Sequence, residues 1–183
     1  MRALLLLLLP VLACAENAGP TAPPPACEAA CQDGIGIRAI RETMKLAYNL
    51  TLQGKPVGPQ DATTPCPQGG TARVFGTATS NGLQGTTEVD LTYELAGCAY
   101  LLQDEDADQN YETTITATIH QQGILAVQPS VTSAVIIRSD RVELTGTVYN
   151  PPLPYAADCP IELGQNGNVL TGTLCDRTVR SDL

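Results

Sequence analysis

The chain holds no tryptophan, one phenylalanine and one histidine in 183 residues. The aromatic platforms on which sugars and single-stranded nucleic acids stack are therefore scarce. Basic residues are few as well: 10 Lys and Arg stand against 19 Asp and Glu, a net charge of -9. Nucleic acid is excluded as a partner, because its phosphates demand Lys and Arg. Electrostatic docking on anionic lipid headgroups is excluded for the same reason. The motifs of catalysis are missing too. There is no Gly-x-Ser-x-Gly elbow, no His-Glu-x-x-His pair and no glycine-rich phosphate loop. His120, the lone imidazole, falls on the wet face of a strand pattern, where a surface histidine is commoner than a general base. Carboxylates are common, but no spacing picks out two of them for glycoside hydrolysis. No stretch beyond residue 13 is long and apolar enough to span a bilayer as a helix. The expectation is that the chain is not an enzyme.

What is present starts at the N-terminus, MRALLLLLLPVLACAEN. Arg2 is the only charge before an apolar run from Ala3 to Leu12, about half of what a spanning helix needs. A basic start, a short apolar core and small residues after it have the form of a secretion signal. Val11-Leu12-Ala13-Cys14 resembles the lipobox of bacterial lipoproteins, with Leu12 standing where that motif more often has a small residue. The resemblance implies lipidation of Cys14, cleavage directly before it, and residues 1–13 as signal peptide. The alternative is plain cleavage after Ala15, because Ala13-Cys14-Ala15 also satisfies the small-x-small rule. Acylation at two or more points anchors a protein firmly. Residues 14–26 are small, polar and proline-rich, which reads as an extended tether.

Cysteine parity bears on the compartment. Seven cysteines are odd for an exported protein. With Cys14 removed, Cys27, Cys31, Cys66, Cys98, Cys159 and Cys175 suffice for three bridges in an oxidising environment. Plain cleavage after Ala15 leaves the same six, so the count supports export more than lipid. Cys66 and Cys98 lie equally far from Gly82, and Cys159 and Cys175 equally far from Gly167. Each pair is placed to clamp the open end of a hairpin whose turn contains Asn-Gly. Cys27 and Cys31 remain. A redox or zinc role for them is weaker than a bridge, because their spacing and the single histidine fit neither.

Residues 27–183 form one domain of ordinary size. Ile37, Ile40, Met44 and Ala47 recur at helical steps between charged residues, predicting an amphipathic helix over about 36–51, ended by Gly54 and Pro56. From Gly70 the apolar period changes to two. Runs near 72–78, 88–95, 114–120, 132–138, 141–149, 158–163 and 168–175 predict about seven strands, each with one wet face. The expected fold class is α+β: a single curved antiparallel meander, disulfide-braced, with the helix on its apolar face. LTGT occurs at 144–147 and 170–173, with a looser copy at 74–77. Its glycines, on the apolar face, would mark where the helix rests or where the sheet curls.

Two further segments are candidates for binding. Asp104, Asp106, Asp108 and Asn110 alternate as oxygen donors do in a calcium loop, but Gln109 and Ile115 stand where the glycine and closing glutamate belong. A solvated acidic loop is the stronger reading. Tyr149-Asn-Pro-Pro-Leu-Pro-Tyr155 is a proline-rich loop with an aromatic at each end, either a rigid connector or a recognition segment.

Cys-Pro-x-Gly-Gly-Thr at 66–71, the Leu-Thr-Gly-Thr strands and the lipobox together resemble short outer-membrane lipoproteins of myxobacterial type. That resemblance supplies no reaction and no ligand. It implies a lipid-anchored structural or protein-interaction component of the cell envelope, for example an accessory to a surface or gliding-motility machine. Its partner would meet the Thr-rich outer face or the 149–155 loop. The alternative is a carrier of an apolar ligand in a half-barrel cavity, and an enzyme ranks third.

Overall fold

The computed structural model describes residues 26–55, 57–126 and 132–183. Cys14, the signal, the tether and Pro56 lie outside that set, apart from Ala26 at the tether's end. One helix, α1 (Ala29–Thr51), precedes eight strands: β1 (Gly58–Pro65), β2 (Thr71–Asn81), β3 (Thr86–Leu102), β4 (Tyr111–Ala126), β5 (Ala134–Val148), β6 (Leu153–Asn166), β7 (Val169–Leu174) and β8 (Arg177–Asp182). The strands pair antiparallel in chain order, a meander that does not close on itself. This is the α+β arrangement of helix and curved antiparallel sheet.

The strand number corrects the expectation of about seven. The runs near 132–138 and 141–149 are one strand, β5, interrupted by a register shift between Ser139 and Val142. Two strands carry almost no hydrophobic alternation. β1, GPQDATTP, has one apolar side chain besides its prolines, Ala62. β8, RTVRSD, buries only Val179. Both are edge strands, which need no second apolar face, and Pro59 and Pro65 guard the β1 edge against pairing with other chains.

The helix also begins earlier than residue 36. Gly34 and Gly36 weaken helix propensity by about 1 kcal/mol each relative to Ala, yet both lie inside α1. Their small size is what lets the helix approach the sheet. A Cβ on Gly34 would come within 2.9 Å of the Arg180 carbonyl oxygen, and one on Gly36 within 2.7 Å of the Tyr155 ring.

The core lies between α1 and the inner face of the sheet. Ile37, Ile40 and Met44 are fully buried, over Leu91, Tyr93, Ile115, Ile119, Ile137 and Leu163. Burying each large aliphatic side chain contributes about 2 kcal/mol. On the strands the alternation is regular: Val89, Leu91, Tyr93 and Leu95 point in, while Glu88, Asp90, Thr92 and Glu94 do not.

The sheet curls for two reasons. Register shifts between Leu95 and Cys98, Ala117 and His120, and Ser139 and Val142 run across β3, β4 and β5 as a crease. Extra residues of this kind bend a strand and increase its twist. The LTGT glycines act likewise. Gly146 (φ 148°) and Gly172 (φ 150°) are bent against the neighbouring strand, where a Cβ would lie 2.0 Å from the carbonyl oxygens of Glu112 and Glu162. Gly146 is exposed. These glycines therefore serve the curl rather than a track for the helix.

Three bridges brace the domain: Cys27–Cys31, Cys66–Cys98 and Cys159–Cys175. Cys27–Cys31 joins the residues just before α1 to its first turn. Cys66 sits in the β1–β2 loop, which folds onto the β3 bulge through the Ala99 amide donating to the Gly69 carbonyl at 2.9 Å. Cys175 and Asp176, both at positive φ (50° and 61°), form the two-residue β7–β8 turn.

Candidate functional surfaces

Three places on the scaffold gather polar side chains. The first is the crease on the outer face. It holds an open groove of about 570 Å³ bordered by Glu94, Thr116, Thr118, His120, Arg138 and Glu143. Ser139 knits its base: the buried hydroxyl lies 2.7 Å from the Thr118 carbonyl oxygen, and the Arg141 amide donates to it at 3.3 Å. Nearby charges are matched across strands. Arg138 donates to Glu162 at 2.8 Å, and Arg141 makes two bonds to Asp158 at 2.6 and 2.7 Å. Arg141 holds the Asp158 carboxyl below its ordinary value. The bonds from Arg73 do the same for Asp61.

His120 stands in this groove, exposed, its Nδ1 3.0 Å from the Thr92 hydroxyl across the ladder. No carboxylate hydrogen-bonds the ring among the described residues. Thr114, Thr116, Thr118, Thr145, Thr171 and Thr173 are all exposed. They give the outer face rows of hydroxyls among its paired charges.

The second place joins the helix to the sheet. Asp33 of α1 is buried, and Arg177 of β8 donates Nε to its Oδ2 at 2.8 Å and NH2 to its Oδ1 at 2.9 Å. The Tyr155 hydroxyl of β6 donates to Oδ1 at 2.8 Å. Burial raises the Asp33 carboxyl, but bonds from Arg177 and Tyr155, with the Arg177 charge, outweigh it and hold the group below 3.8. Burial, then the bond to Asp33, pushes the Tyr155 phenol up. Tyr155 is therefore an inward side chain on a strand rather than the far end of an exposed loop. The proline-rich connection shrinks to Tyr149–Pro152, and the Tyr149 amide donates to the Asn110 carbonyl at 2.8 Å.

Third, the inner face carries polar residues in the apolar phase of their strands, Gln121 and Gln165 among them. The Tyr93 hydroxyl donates to Gln121 Oε1 at 2.6 Å, and Arg41 Nε donates to Gln165 Oε1 at 3.2 Å. Burial dominates the upward shift of the Tyr93 phenol.

The acidic loop is tied together by its own hydrogen bonds. Asn110 donates Nδ2 to the carbonyls of Asp104 and Asp106 at 3.2 and 2.8 Å. Asp104 Oδ1 accepts the Glu105 amide at 2.6 Å. Among the described residues no three His, Cys, Asp or Glu side chains gather where they could hold a metal ion. No described helix is long and apolar enough to cross a membrane.

The chain matches no protein-family model, no curated protein and no solved structure.

The Asp33 clamp had no sequence signal, since its members are 122 and 144 positions apart. Gln121 and Gln165 did carry one. Each continues an inward series, Ile115–Ala117–Ile119 and Ile161–Leu163, with a polar side chain.

Proposed function

We propose that the chain is a non-catalytic, lipid-anchored component of the cell envelope that works by holding a rigid domain for a protein partner. One observation carries the reading: α1 fills the concave side of the sheet, with Ile37, Ile40 and Met44 fully buried against it. A carrier of long apolar chains needs that volume for cargo, and ligand pockets run to about 300–1,000 Å³. Three disulfides within one domain fit an oxidising compartment. The Thr-rich outer face and its crease are the partner surface in this reading.

The anchor is tested by mass spectrometry and membrane fractionation of the chain and of Cys14→Ser. Wild type should carry acyl mass on Cys14 and sediment with membranes, and the variant should lose both. An unmodified chain starting at Glu16 would overturn the anchor. The carrier alternative draws on the curved half-barrel sheet. Long-chain lipid recovered in organic extracts of purified Cys14→Ser protein would reverse the ranking.

A further inference from the structure

A cavity of about 180 Å³ opens between the second half of α1 and the sheet. Met44 and Ile137 give it an apolar wall. Its charged lining is Arg41 and Lys45, with no carboxylate among the described lining residues, in a chain where acids outnumber bases 19 to 10. Glu42 alone pairs with both cations, so one positive charge is left over at the cavity. Opposite them stands Gln121, which is 7% exposed. Its Oε1 is occupied by the Tyr93 hydroxyl, while its amide Nε2 has no hydrogen-bond partner among the described residues. That donor borders the cavity rather than being sealed in the core. An anionic oxygen entering the cavity would satisfy it.

Volume limits the ligand. At roughly 30 Å³ per small group, the cavity takes on the order of six non-hydrogen atoms. Lined by a surplus cation, an unpaired amide donor and aliphatic carbon, it suits a small acid with a short tail.

We propose that this cavity binds a short aliphatic monocarboxylate, its carboxylate between the Gln121 amide and the Arg41–Lys45 pair and its tail against Met44 and Ile137. The proposal is independent of the anchor and of the protein partner. A pocket this small serves to sense or retain a metabolite-sized acid, not to ferry lipid.

The test is titration of the ¹⁵N-labelled full chain in detergent micelles with pentanoate, 1-pentanol and pentylamine, read by NMR. Pentanoate should shift the Gln121 and Gln165 side-chain amides saturably, and neither the alcohol nor the amine should do so with comparable affinity. Lys45 is half exposed, so Lys45→Glu should fold and weaken pentanoate binding about tenfold, as expected for reversal of one close charge at a partly buried site. Equal binding of pentanol or pentylamine, unchanged affinity in Lys45→Glu, or no saturable shift with pentanoate would each overturn the proposal.

Discussion

Arg177 grips both carboxylate oxygens of Asp33, reaching from the last strand to the first helix across 144 positions of sequence. Asp33 is buried whereas the Arg177 side chain is 53% exposed, so solvent screens the pair from one side only. Removing the arginine leaves a buried carboxylate with Tyr155 as its remaining partner. Arg177→Ala is expected to cost about 2 kcal/mol, below the 3–5 kcal/mol typical of a fully buried broken pair. Urea denaturation followed by circular dichroism measures it. Arg177→Lys should recover only part, because a lysine cannot make the two-bond fork.

The same pair sets an acid limit. Asp33 is held below its ordinary 3.8, so its contribution is present in full above that value and is lost as pH falls towards the folded-state pKa. Unfolding midpoints measured between about pH 5 and pH 2 should fall more steeply in wild type than in Asp33→Asn. Parallel pH curves would exclude Asp33 as a source of the acid sensitivity.

Among the described residues three buried hydroxyls have no hydrogen-bond partner: Thr43, Tyr111 and Thr113. An unsatisfied buried hydroxyl costs about 1–3 kcal/mol, and valine has the shape of threonine without it. Thr43→Val and Thr113→Val are therefore expected to stabilise by about 1 kcal/mol each, raising Tm by about 2–4 °C for a domain of this size. A lower Tm in both would mean that these hydroxyls are satisfied in solution.

What could be read in the sequence was whatever the hydrophobic period reports. The strands with an apolar face were legible, as were the helix stripe from Ile37 to Ala47 and the positions of cysteines around the Asn-Gly turns. β1 and β8 were not, because an edge strand with only Ala62 or Val179 to bury shows no alternation. The first turns of α1 were hidden by Gly34 and Gly36, whose poor helix propensity is overridden by close contact with β8 and Tyr155. The Asp33 clamp joins residues that no local pattern relates. Gln121 and Gln165 advertised a site, as polar side chains standing where the strand phase calls for apolar ones.

Gly146 tests the origin of the curl. At φ 148°, with the Glu112 carbonyl oxygen 2.0 Å from where a Cβ would stand, alanine meets backbone on the next strand and cannot be relieved by a side-chain rotation. Gly146→Ala is expected to cost more than about 3 kcal/mol, combining strain with a broken ladder. Gly82, with open space around it, is the control. Gly82→Ala should change stability by less than about 1 kcal/mol. Similar losses at both positions would show that the curl does not depend on this glycine.

The three bridges close loops of very different length, with sequence separations of 4, 16 and 32. If they act mainly on the unfolded chain, the loop-closure entropy removed predicts contributions of about 2, 3 and 4 kcal/mol in that order. Replacing each pair by serine in turn and comparing urea midpoints tests the ranking, with Cys66–Cys98 expected to matter most. Cys27–Cys31 has a second role, since it pins the first turn of a helix whose N-cap Glu28 makes no side-chain capping bond. Its loss should therefore fray residues 29–33 and loosen Asp33 from Arg177. Hydrogen exchange in that turn should quicken in the Cys27→Ser/Cys31→Ser variant while the β3–β4 amides stay protected. Uniform acceleration across the sheet would mean that the bridge supports the whole domain rather than the start of the helix.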